Sequence, residues 1–69
     1  MPRFEFKFAS DLMVGDWAQF EGTWVRVLGC VTDPSGWTRL TLDRFPLPEM
    51  VVHRTVDVPW SPTQPAGVV

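Results

Sequence analysis

The sequence predicts an all-β protein: five short strands wound into a small, strongly bent antiparallel barrel. Three observations point there. Phe4-Glu5-Phe6-Lys7-Phe8 alternates apolar and charged residues with period two, the pattern of a strand with one buried face, and residues 17–20 and 23–31 read as strands joined by a two-residue loop. Tight-turn signals, Glu21-Gly22 and Asp33-Pro34-Ser35-Gly36, separate successive strands by intervals too short for helices. The chain has 69 residues, of which four are Trp and five Phe, so one core of large side chains has to offset the entropy of ordering it.

Residues 4–8 place Phe4, Phe6 and Phe8 on one face, expected to be the buried one, with Glu5 and Lys7 outside. Residues 9–16 hold one helical turn at most before Gly15-Asp16 stops it. A two-residue loop at Glu21-Gly22 sets Phe20 opposite Thr23, Gln19 opposite Trp24, Ala18 opposite Val25 and Trp17 opposite Arg26. A type I turn closed by Gly22 competes, because Glu tolerates positive φ poorly.

At the second turn Asp, Pro and Gly occupy the first, second and fourth positions that a type I turn prefers. Counting outward from it sets Thr32 against Trp37, Cys30 against Arg39, Leu28 against Thr41 and Arg26 against Asp43, the last an opposite-charge pair. Both hairpins then select one core face, with Ala18, Phe20, Val25, Val27, Val31, Leu40 and Leu42, and Gly29 is where the long strand bends.

Residues 45–48, Phe-Pro-Leu-Pro, cannot lie in a central strand, since neither proline donates to a ladder. A last strand is expected over residues 50–58, with Met50, Val52, Val56 and Val58 on one face and Val51, His53, Thr55 and Asp57 on the other. Arg54 interrupts the apolar side and marks a bulge or an edge position. Pro59-Trp60-Ser61-Pro62 is expected to end regular structure. The domain boundaries are therefore 1–60 for the barrel and 61–69 for a flexible, proline-rich C-terminal tail.

Several function classes are set aside. Cys30 is the only cysteine, so a reduced thiol on a partly covered strand is expected. The N-terminus lacks the continuous apolar run of a signal peptide, and no stretch approaches the ~20 apolar residues of a membrane span. A cytoplasmic protein without membrane contact is expected. The net charge of −2 disfavours a protein whose main task is to neutralise phosphates. Cys30 and His53 are too few for a structural zinc site, the acids are scattered singly, and no Gly-rich phosphate loop precedes a helix. As a thiol–imidazole pair they would lack any accompanying catalytic motif. No catalysis, cofactor or metal is expected. The lack of Ile, Asn and Tyr, with one Lys against five Arg, is what a G+C-rich genome produces, since the depleted types have A/T-rich codons.

The stretch Ala-Ser-Asp-Leu-Met-Val-Gly-Asp at 9–16, followed by Gly22-Thr23-Trp24-Val25-Arg26-Val27, resembles an SH3-like small β-barrel. More narrowly, it resembles short uncharacterised proteins of G+C-rich, actinobacterial bacteria and their phages. The resemblance implies a fold and a genomic setting; it carries no catalytic residue and no ligand.

The feature that bears on function is the face opposite the core. In this register Trp17, Gln19, Trp24, Arg26, Leu28, Cys30, Trp37 and Arg39 point outward. Three outward tryptophans exceed what a small monomer exposes. Four coverings stay open. The N-terminal strand, or the 59–65 segment with Trp60, folds over the patch. A partner protein or a second copy covers it, with Trp17 and Arg26 placed to stack as a cation–π pair. Arg26 and Arg39 with stacking tryptophans hold single-stranded nucleic acid. Or the aromatics cage a methylated cation, with Asp16 or Glu21 as counter-charge. The expected function is non-catalytic protein–protein interaction or homodimeric self-association through Trp17, Trp24, Arg26, Leu28, Trp37 and Arg39, as a small phage or mobile-element accessory or inhibitor factor. Nucleic-acid binding through the Arg and Trp side chains is the alternative.

Overall fold

The computed structural model describes residues 5–66. They form one open sheet of six antiparallel strands: β1 (Glu5–Phe8), β2 (Trp17–Phe20), β3 (Thr23–Thr32), β4 (Trp37–Leu42), β5 (Glu49–His53) and β6 (Asp57–Ser61), with a single 3-10 turn at Ala9–Asp11. The order across the sheet is β1-β6-β2-β3-β4-β5, so the last strand enters between the first two and leaves β1 and β5 as edges.

The all-β class agrees with the alternation, but six strands replace five. The expected single strand over 50–58 is divided after His53, whose carbonyl accepts the Val56 N–H at 3.1 Å as the chain turns out of β5. Arg54, the residue that interrupts the apolar pattern, sits at this corner. Regular structure also continues past Pro59, because β6 takes in Pro59, Trp60 and Ser61. The ladder to β2 permits this: it holds only Ser61 with Trp17 and Trp60 with Ala18, and stops before a residue that has no N–H to give. The segment expected as a tail therefore starts as strand at Ser61, and residues 67–69 lie outside the described residues.

The β2–β3 hairpin has the expected two-residue loop and the expected register throughout, Trp17 with Arg26 to Phe20 with Thr23. Glu21 and Gly22 take φ of 54° and 79°, a type I′ geometry whose twist suits paired strands, in place of the competing type I turn.

Between β3 and β4 the register is displaced by one residue from that expected. Thr32 pairs with Thr38, Val31 with Arg39, Cys30 with Leu40 and Gly29 with Thr41, whereas Val27 keeps Leu42. The cause is Gly36, at φ 96°, which follows the type I turn as one extra residue, so that Asp33 rather than Thr32 meets Trp37; the Asp33 N–H donates to the Trp37 carbonyl at 2.8 Å. A bulge between Val27 and Gly29, where the bend was expected, takes the extra residue back. Between these two irregularities the faces of β3 are exchanged. Cys30, expected outside, packs against the core, and Val31, expected inside, is 70% exposed.

β1 is also inverted. Its register sets Lys7 opposite the buried Val58, and Phe6 and Phe8 opposite Pro59 and Asp57 on the outer face, 62% and 48% exposed. The expected burial of these phenylalanines does not occur, and Phe4 lies outside the described residues. The reason is electrostatic. Lys7 Nζ lies 3.0 Å from Asp16 Oδ2 and 3.7 Å from the centroid of the Trp60 ring, and Asp16 is only 8% exposed. A carboxylate beside the core demands a cation, and the cation brings its strand's parity with it.

Lys7→Met keeps the stem and removes the charge, leaving Asp16 with the Met13 N–H at 2.9 Å as its remaining described partner. It is expected to lower the unfolding free energy by about 1–3 kcal/mol in a urea titration, against less than ~0.5 kcal/mol for Phe6→Thr on the exposed side. A larger loss from the phenylalanine would reverse the assignment of faces. Glu21→Asn, better suited to positive φ, is expected to raise stability by about 0.5 kcal/mol in the same measurement.

Candidate functional site

The outward face of β2 and of the first half of β3 carries four of the residues singled out from the sequence. Trp17 lies directly opposite Arg26, Trp24 opposite Gln19, and Leu28 is 48% exposed just before the register changes. Both tryptophans are half-buried and Arg26 is exposed. The expected cation–π pair is not the one formed: the cation–π contact among the described residues is Lys7 over Trp60, not Arg26 over Trp17. Trp60, offered as a cover for the patch, packs against the core instead. Asp16 is likewise engaged by Lys7, and Glu21 lies 3.9 Å from Arg44 Nη1, so neither stands ready as the counter-charge of a cage.

Trp37 and Arg39 lie beyond the bulge, on β4. The displaced register sets Arg39 between Val31 of β3 and Val51 of β5, and these residues with Asp33 and Trp37 line a concavity of ≈ 270 Å³. The six candidate residues therefore fall into two groups, Trp17, Trp24, Arg26 and Leu28 on one side of the bulge and Trp37 and Arg39 on the other. Val31, Asp33 and Val51 are additions. Val51 was legible as outward from the alternation of its strand; Val31 was hidden by the glycine that turns it over.

The groove has an apolar floor, Val31 and Val51, and an aromatic wall, Trp37, 49% exposed. The indole is braced by the His53 ring, edge-on at 5.6 Å between centroids. The His53 Nδ1 accepts the Thr55 N–H at 3.3 Å and lies 2.7 Å from the Thr55 hydroxyl, which places the proton of the neutral ring on Nε2. Asp33 closes one end. Its Oδ1 accepts the Ser35 hydroxyl at 2.7 Å, the Ser35 N–H at 2.9 Å and the Trp37 N–H at 3.0 Å. These bonds, the Ser35 hydroxyl foremost, hold the carboxyl below its ordinary value, so the groove carries a fixed anion. Arg39 is exposed and has no ion-pair partner among the described residues. Such a site can seat one apolar or aromatic side chain while offering a cation and an anion to the polar groups beside it.

Cys30 and His53 do not meet. The thiol faces inward toward the Ala9 carbonyl at 3.5 Å, opposite Leu40, while His53 lies on the outer face opposite Trp37. Among the described residues no three of His, Cys, Asp and Glu gather where a metal ion could be held, and no helix is long and apolar enough to cross a membrane.

Burial, and secondarily the charge of Asp11, push the Cys30 thiol above its ordinary value of 9.0. Alkylation by iodoacetamide at mildly alkaline pH is expected to run at least ~10-fold slower than for a small free thiol, and to recover when the protein is unfolded in urea. Because the folded value is the raised one, the stability linked to this thiol is full below 9.0 and declines as pH rises through the folded value. Comparison of the chain with protein families, with curated proteins and with solved structures finds no match.

Proposed function

We propose that the chain is a non-catalytic protein-interaction module whose outward sheet face docks a partner, anchored in the groove between Trp37 and Arg39. One observation carries the reading: a half-exposed indole beside a guanidinium with no described ion pair, above two exposed valines. Trp and Arg are the side chains most enriched where interface energy concentrates, and an apolar floor left open to water gains by being covered. Trp17, Trp24, Arg26 and Leu28 continue the surface across the bulge. Asp33 and Glu49 on the same outward side oppose a phosphate backbone, which favours a protein over a nucleic acid.

The sheet is read as an SH3-like small barrel. Two bonds support this curl, Ala9 N–H to the Val56 carbonyl at 2.9 Å and Ser10 N–H to the Arg54 carbonyl at 3.2 Å, which draw the end of one edge strand to the turn that leaves the other. An accessory or inhibitor role in a phage or mobile element rests on the resemblance of residues 9–16 and 22–27 and on the codon-driven composition alone.

Trp37→Ala and Arg39→Ala, both at exposed positions, are expected to leave the melting midpoint within about 3 °C of the parent and to abolish retention of the partner that the parent holds from its host cell, read by quantitative mass spectrometry. Identical sets of retained proteins for parent and variants would refute the reading. So would salt-sensitive binding to single-stranded oligonucleotides that Arg39→Ala removes.

A further inference from the structure

We propose that two copies of the chain pair through the open edge of β5, antiparallel about a two-fold axis at Val51, and so join their sheets into one. This goes beyond the docking face, since it uses main-chain groups at the sheet edge and stands whether or not the groove binds a partner.

The hydrogen-bond pattern shows which groups that edge offers. The Arg54 N–H donates to the Gly36 carbonyl at 2.8 Å, and the Leu42 N–H to the Pro48 carbonyl at 2.6 Å. Bonds in an antiparallel ladder recur at every second residue, so Met50 and Val52 turn their main-chain groups to β4, while those of Glu49, Val51 and His53 point to the open side. No strand among the described residues pairs there.

The two edges of the sheet differ in how they are guarded. β1 carries Lys7 pointing inward, a device that discourages edge pairing, whereas β5, Glu-Met-Val-Val-His, contains neither lysine nor proline. β5 also matches its own reverse. Centred on Val51, antiparallel self-pairing sets Glu49 against His53, Met50 against Val52, and Val51 against its copy. On the inner face two half-buried apolar side chains meet and extend the core. On the outer face the 55% exposed valine meets itself, and Glu49 lies opposite His53. Moving the register by two residues would set Glu49 against Val51 and leave both polar groups unmatched. A second copy therefore fits this edge better than an arbitrary extended peptide.

The symmetry has a geometric result. Opposed residues of an antiparallel pair share a face, so the two Trp37–Arg39 grooves come to lie on one side of the joined sheet, adjoining through the valine pair.

Sedimentation of the whole chain from about 1 μM to about 1 mM is expected to show a monomer–dimer transition that stops at the dimer. Val51→Pro removes an edge N–H that β4 does not use, and Glu49→Lys places on the open edge a lysine of the kind that discourages edge pairing; each is expected to raise the dissociation constant at least ~10-fold with an unchanged circular dichroism spectrum. Should the proline variant fail to fold, the lysine variant, at an exposed site, still decides. Amide exchange supplies an independent reading: the N–H groups of Val51 and His53 become protected only above the dissociation constant, those of Met50 and Val52 at every concentration. A monomer at all concentrations, assembly growing beyond the dimer, or a dimer indifferent to Glu49→Lys would each overturn the proposal. Retention of a partner through Trp37 and Arg39 is read separately, so either idea can fail alone.

Discussion

Asp16 lies where the main chain leaves it no freedom. The Gly15 N–H donates to the Val27 carbonyl at 2.8 Å and the Val27 N–H to the Asp16 carbonyl at 2.7 Å, so the entry to β2 is fastened to the middle of β3. The side chain ends beside the core, 8% exposed, as an anion that needs a cation. Lys7 supplies it, with the Trp60 ring beneath the ammonium. Side chains in a strand alternate strictly, and so the inward turn of Lys7 sends Phe6 and Phe8 out. The apolar surface of that half of the molecule follows from one ion pair.

This contact explains what the alternation of residues 4–8 could and could not reveal. Periodicity establishes that β1 has two faces; it does not say which one is buried, and hydrophobicity alone chooses the wrong one. The choice is made by a residue nine positions further on, whose approach to Lys7 only the completed fold creates. The β2–β3 hairpin is the opposite case. Loop length is local there, and the register read from it holds at all four pairs. β3 and β4 combine the two situations. One residue enters the register at Gly36 and one leaves at the bulge, so the two cancel, and the outward positions of Trp37 and Arg39 and the pairing of Val27 with Leu42 survive while residues between them change sides.

The candidate surface was legible to the same extent. Trp37 and Arg39 belong to a strand whose parity was read correctly, as was the opposition of Trp17 and Arg26. One half of the groove's floor, Val31, was not, because Val31 and Cys30 exchange places in the displaced segment, and a positive φ at one glycine is a property of the turn rather than of composition. Strand number failed for a related reason. Arg54 signals an interruption, and a break in pattern is the same whether the chain bulges or turns a corner.

The short ladder between β6 and β2 makes the sheet mechanically uneven. Two residue pairs join these strands, against four for β1 with β6 and four for β2 with β3, and Pro59 prevents the ladder from lengthening. The β1–β6 ribbon and the β2–β5 meander are thereby two cooperative units meeting at a seam. An opening short of unfolding would break the fewest ladder pairs along that seam. The Lys7–Asp16 bond crosses it. The same pair that sets the faces of β1 therefore also acts as the latch between the two halves of the fold.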